Sequence, residues 1–513
     1  MYYKGLSKFI ASIALSAVSV IATAQTYKPP VFTDAERLKK IEATYPVIDK
    51  LYKEYAEKNH WPGMVYGIVV DGKLVHTGKM GYTDIATRQA ADATSDFRIA
   101  SMTKSLTAMA ILKLRDEGKL KLDEPAYLYI PEMKGMKGLT RDAIPVTIKN
   151  LLTHTEGYPE DNPWGDRQLA VSDDELLAIY KKGVSFSNVP GLGYEYSNLG
   201  FATLGYIIKK VSGKTYEEYI SENILKPLGM VHTYWEYDKV PKDKLAHGYR
   251  WLDEQWVEQP LLHDGAYGAM GGLITTVEDW TKYMAVHQDA WPPRDDKETG
   301  PVKRSSIREM EYPWDLSYLN ANAKTPTGSP CPTVTAYCYG LRWAKDCDNR
   351  TYVGHTGGLP GFGSNWNIMP DYGIGVMCFA NATYASAAMA NNIVLDTLLT
   401  LSGIKPRLLP ASVILNQRKA ELMKVIADWN TAKASGIFAV NFFMDYFPEK
   451  LRVETTGAFA RAGKIKRVGD VVPENQLRGY FIVQGEKASL KISFTLTPEN
   501  PALIQAYQLD LVK

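Results

Sequence analysis

The spacing of apolar residues predicts helices and a hairpin in the first part of the chain. A capping-box sequence, Thr33-Asp34-Ala35-Glu36, opens a run with helical spacing, so we expect a helix to begin there. Met64–Val70 and Leu74–His76 flank Asp71-Gly72, which is typical of a tight hairpin turn. Ser105–Leu114 predicts a further helix. The apolar face of the first helix comprises Leu38, Ile41, Ile48, Leu51 and Tyr55.

The rest of the chain divides at a predicted linker, residues 403–410, which is rich in helix- and strand-breaking residues. Helical patterns dominate 147–232, strands are expected around residue 355, and a long helix is expected near 385–401. Residues 403–410 contain Gly403, Pro406 and Pro410, which interrupt regular structure. The sequence therefore predicts one domain over 25–402 and a second over 411–513.

The second predicted domain combines a helix with strands. Apolar residues at 490, 492, 494 and 496 alternate with polar ones, as in a half-buried strand. We expect a small α+β module, loosely similar to nuclear-transport-factor-like (NTF2-like) or cystatin-like domains. It shows no catalytic pattern, so we expect a role in packing or dimerisation, with coverage of the cleft of its own or a neighbouring subunit as the alternative. One helix face carries Ile414, Arg418, Leu422, Val425, Ile426 and Trp429.

The first 24 residues have the pattern of a secretory signal peptide. Lys4 and Lys8 precede an apolar run from Phe9 to Ala22, and Ala22-Thr23-Ala24 forms a small-x-small cleavage site. The apolar run is short for a membrane span. We expect a periplasmic or secreted protein without stable membrane insertion.

Composition narrows the possible partners. Of the 513 residues, 59 are basic and 57 acidic, which gives a formal net charge of +2. No block of Lys and Arg is present, so nucleic-acid binding is not expected. No His/Cys spacing predicts a metal site, and no Gly-rich phosphate loop follows a strand, so we expect no cofactor.

The strongest candidate chemistry is the tetrad Ser101-Met102-Thr103-Lys104. An S-x-x-K pattern on the first turn of a helix places the lysine amine on the same face as the serine hydroxyl. A desolvated lysine at the positive end of a helix has a lowered pKa and accepts the proton that a nucleophilic serine must lose. A second tetrad, Ser402 to Lys405, contains Gly403 and precedes Pro406, which argues against a helix start there.

Two other motifs follow the tetrad in order. Tyr196-Ser197-Asn198 offers a proton-shuttling phenol and an amide, with Asn198 placed to cap the following helix. His355-Thr356-Gly357-Gly358 lies between two strand-like segments. Both patterns also occur elsewhere in the chain, as Tyr318-Leu319-Asn320 and His76-Thr77-Gly78. The evidence therefore lies in the order of the three motifs along the chain.

This ordered trio resembles the serine β-lactamase, penicillin-binding-protein and esterase superfamily. The resemblance is to the branch containing class C β-lactamases, D-Ala-D-Ala carboxypeptidases, D-aminopeptidases and family VIII esterases, and it covers roughly residues 56–402. It implies an α/β (α+β) fold of the β-lactamase/transpeptidase-like type, in which an antiparallel sheet flanked by helices lies beside a helical lobe. Supporting segments are FRIASMTK, LLTHTEGY, YSNLGF, AMGGLITTVEDW and GHTGGLPGF.

The resemblance also implies roles for individual residues. Ser101 is the expected nucleophile, Lys104 its base, and Tyr196 a second acid/base group. Asn198 is expected to anchor substrate and side chains. The backbone N–H groups of Ser101 and Gly358 are expected to form the oxyanion hole.

Further residues around the third motif are expected to bind substrate. Many relatives carry Lys-Thr-Gly where this chain has His355-Thr356-Gly357. A neutral histidine attracts a carboxylate less than a lysine does, so a true β-lactamase is the less favoured reading. Arg342 either pairs with an anionic substrate group or is simply a solvated residue at a strand end. We expect His154 to structure its loop rather than to take part in catalysis.

The cysteines and one insertion complete the sequence predictions. Cys331 is expected to pair with Cys338 or Cys347, and Cys378 to remain a buried thiol. Residues 288–336 form an insertion that we hypothesise to cover the cleft and set substrate choice.

Together these features predict an exported serine hydrolase or acyltransferase that forms an acyl-enzyme at Ser101. Its substrate would be an ester or amide of a small molecule or peptide. The alternatives are a β-lactamase or D-Ala-D-Ala peptidase, and a non-catalytic ligand-binding homologue. A homodimer is a possible assembly.

Overall fold

The predicted hairpin lies within the main sheet of the protein. A computed structural model describes residues 27–325, 328–427 and 429–512. Strands β1 (Gly63–Val70) and β2 (Lys73–Asp84) pair antiparallel. Asp71 and Gly72 join them with φ of 48° and 76°, the left-handed conformation that a tight primed turn requires. The hairpin prediction is confirmed.

The main sheet is antiparallel, with the order β3-β2-β1-β14-β13-β12-β11-β10-β9. Small ladders β4-β8-β5 and β6-β7 lie outside it. The remaining strands of this part of the chain are β3 (Gln89–Ala90), β4 (Phe97–Arg98), β5 (Thr233–Tyr234), β6 (Tyr249–Leu252), β7 (Gln255–Glu258), β8 (Ile274–Thr275), β9 (Asp315–Asn320), β10 (Thr333–Tyr337), β11 (Arg342–Lys345), β12 (Thr351–Leu359), β13 (Phe362–Met369) and β14 (Ile374–Ala380).

Helices cover both faces of this sheet. On one face, Ile48 and Tyr52 pack with Val394 and Leu398 of the long helix near the end of the domain; on the other, Trp366 meets Trp280. The helices are α1 (Arg37–Glu42), α2 (Tyr45–Lys58), α3 (Thr103–Asp116), α4 (Ile148–Thr153), α5 (Asp173–Lys182), α6 (Asn198–Ser212), α7 (Tyr216–Ile220), α8 (Lys226–Leu228), α9 (Gly268–Gly271), α10 (Val277–Asp289), α11 (Arg304–Met310) and α12 (Ala387–Ser402). This is the α+β architecture that the sequence predicts.

The first predicted helix is divided in the structure. α1 ends before Ala43, and α2 begins at Tyr45 with Pro46 in its first turn. Proline has no N–H to continue the hydrogen bonds of a preceding helix, which accounts for the break. The capping box is also wrong, because Glu36 occupies the cap without a side-chain bond and Asp34 instead accepts the backbone N–H of Glu36.

The insertion has regular structure of its own. It contributes α11, the edge strand β9 and nearly all of its neighbour β10. A disulfide joins Cys331 to Cys347, which settles the alternatives left by the sequence. Cys338 and Cys378 are free and buried, as expected for Cys378.

Contacts among the described residues separate a unit spanning Phe32–Leu408 from another that contains Leu409–Lys513. In the latter, β18 alternates buried and half-buried residues as the sequence predicts, and α13 matches most of the predicted helix. Its antiparallel sheet has the order β15-β17-β18-β19, with β16 beside β17. The elements are α13 (Val413–Val425), α14 (Phe442–Asp445), α15 (Pro448–Ala462), β15 (Ile465–Val468), β16 (Val472–Pro473), β17 (Arg478–Gly485), β18 (Ser489–Leu496) and β19 (Ile504–Val512).

The predicted signal peptide lies outside the described residues. Within the described ranges, no helix combines the length and apolar character needed to cross a bilayer.

Candidate active site

A strained turn presents Ser101 at the start of α3. Ala100 is buried and has a φ of 51°, a conformation that costs a non-glycine residue about 1–3 kcal/mol. The turn is held from both sides: Thr103 Oγ1 donates to the Ala100 carbonyl at 2.7 Å, and Ser364 Oγ of β13 donates to the Ile99 carbonyl at 2.7 Å. The Ser101 hydroxyl is therefore fixed relative to the sheet.

Lys104 lies beside Ser101 and is fully buried. Its Nζ is 3.0 Å from Ser101 Oγ, 2.7 Å from Asn198 Oδ1 and 2.9 Å from the Met270 carbonyl. The last two atoms are acceptors only, so they engage two N–H groups of the amine. In the neutral amine, this leaves the lone pair for the Ser101 hydroxyl proton.

Burial sets the protonation state of this amine. Desolvation lowers the pKa of Lys104 to about 7, against the opposing fields of Asp166 and Asp161. Burial also raises the pKa of Tyr196 far above its usual value, although a hydrogen bond with Ser101 acts the other way. At neutral pH Tyr196 is thus a phenol, and Lys104 is the group able to accept a proton.

The lowered pKa of Lys104 predicts how the rate of acylation depends on pH. The protonated amine has no lone pair, so we expect kcat/KM for a neutral ester to rise with pH through about 7 and to fall about tenfold per unit well below it. Initial rates measured from about pH 5 to about pH 9 check this. A rate that stays level down to the acid end would contradict the assignment of Lys104 as the base.

The second motif is oriented by contacts that the sequence did not reveal. Ser197, not Asn198, caps α6, because its Oγ accepts the N–H of Gly200 at 3.3 Å. The predicted cap at Asn198 is therefore wrong: its side chain instead turns to Lys104. Asp161 completes the helix start by accepting the N–H groups of Asn198 and Leu199 at 2.7 and 2.8 Å.

His154 holds the approach to this motif. It ends α4 in a left-handed conformation, and its Nδ1 accepts the N–H of Ser197 at 3.1 Å. Its ring lies 4.4 Å from that of Tyr196, centroid to centroid. The prediction that His154 structures the loop is confirmed.

The third motif approaches the nucleophile through its glycines. A Cβ at Gly357 would lie 2.1 Å from the Ile99 carbonyl oxygen, so a side chain there would separate β12 from the Ser101 turn. This close approach is the physical reason for a glycine at this position. It brings the edge of β12, including Gly358, to the nucleophile.

Both ring nitrogens of His355 have hydrogen-bond partners within the protein. It is 1% exposed, its Nε2 accepts the Tyr337 hydroxyl at 2.9 Å, and its Nδ1 is 2.6 Å from the Thr356 carbonyl. Burial and nearby Arg342 and Lys104 hold its pKa well below the usual value, so it is neutral. These hydrogen bonds position β12 and Tyr337, and His355 also lines the cavity next to Arg342, so its contact with substrate stays a prediction.

Arg342 and Thr356 lie at the open side of the site. Arg342 begins β11 and is exposed, as expected for a solvated residue at a strand end. Its guanidinium carbon nevertheless lies 5.5 Å from the centroid of the Tyr196 ring. Both residues line a cavity of about 750 Å³ bounded by β9, β10 and α12. Residues of the insertion therefore form part of the lining of this cavity.

Some residues at the site carried no sequence signal. Tyr337, Asp161 and Asp166 come close to the three motifs only when the chain folds. Met270 contributes its backbone carbonyl, so no side-chain pattern marks this contact. The segment containing Met270 could be found only through the family resemblance. Among the described residues, no cluster of three His, Cys, Asp or Glu side chains is placed to hold a metal.

Comparison with known proteins identifies the family of this chain. Residues 48–399 match the family model described as Beta-lactamase. The chain belongs to the beta-lactamase family. Proteins of this superfamily are in general serine hydrolases.

Relatives of this beta-lactamase-family chain include Protein flp of Staphylococcus aureus (strain N315), 30% identical over 353 residues that cover 66% of this chain. The match spans 63% of the length of that relative. Beta-lactamase-like protein 2 of Dictyostelium discoideum is 28% identical over 320 residues, 60% of this chain and 58% of its own.

Solved structures share the fold. An octameric penicillin-binding protein homologue from Pyrococcus abyssi has a TM-score of 0.58 at 24% identity, covering 91% of this chain and 96% of its own. A class C beta-lactamase has a TM-score of 0.54 at 22% identity, covering 69% and 96%.

Proposed function

We propose that this beta-lactamase-family protein is an exported serine hydrolase that forms an acyl-enzyme at Ser101. The observation that carries the proposal is the buried amine of Lys104, 3.0 Å from Ser101 Oγ and with a pKa of about 7. A serine without an adjacent base is a poor nucleophile, and here the base is adjacent. The substrate is an ester or amide of a small molecule or peptide.

The reaction follows from the groups at hand. Lys104 takes the hydroxyl proton while Ser101 Oγ bonds to the substrate carbonyl carbon. The backbone N–H groups of Ser101 and Gly358 stabilise the oxyanion, a contribution of about 10²–10³-fold per donor. The bond to the leaving group then breaks, and Tyr196 delivers a proton to that group and is reprotonated through Lys104. Asn198 holds Lys104 through its Oδ1.

Release of the acyl group repeats the same steps with a different nucleophile. Water gives its proton to Lys104 and attacks the ester, and Ser101 leaves with a proton. An alcohol or amine in place of water makes the protein an acyltransferase.

Covalent labelling tests the proposal against a non-catalytic binding protein on the same fold. We expect a fluorophosphonate to add once to the wild type, at Ser101, with intact and peptide mass as the readout. A folded wild type that stays unlabelled would favour the binding protein. A panel of p-nitrophenyl esters, nitrocefin and D-amino acid amides then separates esterase, β-lactamase and peptidase.

A carboxylate-bearing substrate, as in a β-lactamase or D-Ala-D-Ala peptidase, is the second candidate because of Arg342. Its exposed guanidinium supplies at the cavity the positive charge that neutral His355 lacks. Thr356 provides a hydroxyl on the neighbouring strand. The positive charge of Arg342 favours a substrate whose anionic group lies on the leaving-group side of the scissile bond.

Replacing Arg342 with alanine tests this preference. We expect KM for nitrocefin, or for an ester with a carboxylate, to rise about tenfold relative to KM for a neutral ester, since a charged hydrogen bond is lost. Lys345→Ala, at the other end of β11, is the control and should leave the ratio unchanged. An unchanged ratio in Arg342→Ala would remove the anionic-substrate candidate.

A further inference from the structure

The buried carboxylate of Asp166 is only half satisfied. Asp166 is 2% exposed, and its Oδ2 accepts the Tyr384 hydroxyl at 2.9 Å. Its Oδ1 has no hydrogen-bond partner in the part of the chain that the structure describes. A carboxylate oxygen buried without a donor is costly, which makes it a ready acceptor for a ligand.

The neighbours of Asp166 place this carboxylate at the reacting centre. The ring of Tyr384 lies against Gly358, where a Cβ would be 2.9 Å from Tyr384 Cδ1. On the other side, Gly165 packs on the Asn198 side chain, with a Cβ position 2.7 Å from Asn198 Cβ. Asp166 thus lies between the edge of β12 and the start of α6, the two elements that flank Ser101.

The charges around Asp166 leave it without a partner cation. Lys104 interacts with it through space, but the Lys104 amine makes its hydrogen bonds to Ser101, Asn198 and Met270. Asp161 adds a like charge, and Arg167 lies on the exposed side of the loop and contributes a weaker opposing field. Burial outweighs these attractions and raises the pKa of Asp166.

Arg342 and Asp166 lie near opposite ends of one segment of β12. Arg342 pairs with Gly354, whereas Tyr384 contacts Gly358. Four residues of extended chain span about 13 Å. The carboxylate-substrate candidate above places the leaving group toward Arg342, so Asp166, at the other end of this segment, is on the acyl side.

We propose that Asp166 and Tyr384 form an ammonium-binding subsite on the acyl side of Ser101. The ligand is an acyl donor with a primary amine near the scissile carbonyl; Asp166 Oδ1 accepts its N–H, and the half-exposed Tyr384 ring offers a cation–π face. This inference rests on the proposed acyl-enzyme function and names its substrate class.

The test compares alanine p-nitroanilide with N-acetylalanine p-nitroanilide, each as both enantiomers, at about pH 7 where the free amine is cationic. We expect the wild type to prefer the free amine about tenfold or more in kcat/KM for one enantiomer. Asp166→Asn should abolish this preference, while its amide oxygen still accepts the Tyr384 hydroxyl. Glu160→Gln, which removes an exposed carboxylate from the same loop, should keep it.

The ratio separates the subsite from an effect on Lys104, because a changed base alters both substrates alike. An Asp166→Asn variant that retains the wild-type preference overturns the subsite, as does a wild type that favours the acetylated substrate. If neither anilide turns over, protection of Ser101 from fluorophosphonate by alaninamide but not N-acetylalaninamide supports the subsite, and equal protection overturns it. Absence of any label on Ser101 instead overturns the proposed function and the inference with it.

Discussion

Replacing Ser101 with alanine should lower kcat/KM for every ester and amide substrate by about 10⁴-fold or more, to the level left by binding and oxyanion contacts. The physical reason is that Ser101 Oγ is the atom that bonds to the acyl carbon, and the Lys104 amine has no other hydroxyl within reach among its observed contacts. Steady-state hydrolysis of a p-nitrophenyl ester measures the loss.

The chain provides a matched control for this variant. Ser402 belongs to the second S-x-x-K tetrad, but it ends α12 and its Oγ donates to the Leu398 carbonyl at 2.6 Å. Ser402→Ala should therefore retain wild-type rates. Comparable activity of Ser101→Ala and the wild type would exclude Ser101 as the nucleophile.

Replacing Lys104 with methionine should lower the rate of acylation by about 10²–10⁴-fold, because the variant keeps the length of the side chain but loses the general base. The rise in rate through about pH 7 should disappear as well. Stopped-flow measurement of the first turnover of a p-nitrophenyl ester reports this step directly.

The control for this variant lies about two and a half turns further along the same helix. Lys113 pairs with Glu117 at 3.2 Å near the end of α3, away from Ser101. Lys113→Met should keep both the rate and its pH dependence. A Lys104→Met protein that is folded, as shown by circular dichroism, and acylates at the wild-type rate would assign the base to another group.

Local patterns were enough to predict the geometry within a single helix or hairpin. The S-x-x-K spacing places Lys104 beside Ser101 because both lie within the first turns of one helical segment. The turn at Asp71-Gly72 needs only the conformations of those two residues. The order of the three motifs then indicates the family, and with it the sheet and the helical lobe.

Contacts between distant segments were not predictable in this way. His355 bonds to Tyr337, the last residue of β10, and this contact could not be predicted from either segment alone. Asn198 does not cap α6, because Ser197 one residue earlier does so. Asp166 reaches the site on a single 3₁₀ turn, Gly165–Arg167, which no periodic pattern predicts. Such contacts depend on how the chain folds back on itself, so composition and spacing do not encode them locally.

In the proposed reaction, Ser101 carries the acyl group during turnover. The most direct measurement is peptide mass mapping after acid quench of the wild type with a slowly hydrolysed ester. We predict the added mass of the acyl group on the peptide containing Ser101, and its absence in Ser101→Ala. Steady turnover with no adduct on that peptide, or an acyl group mapped to a different residue, would contradict the account.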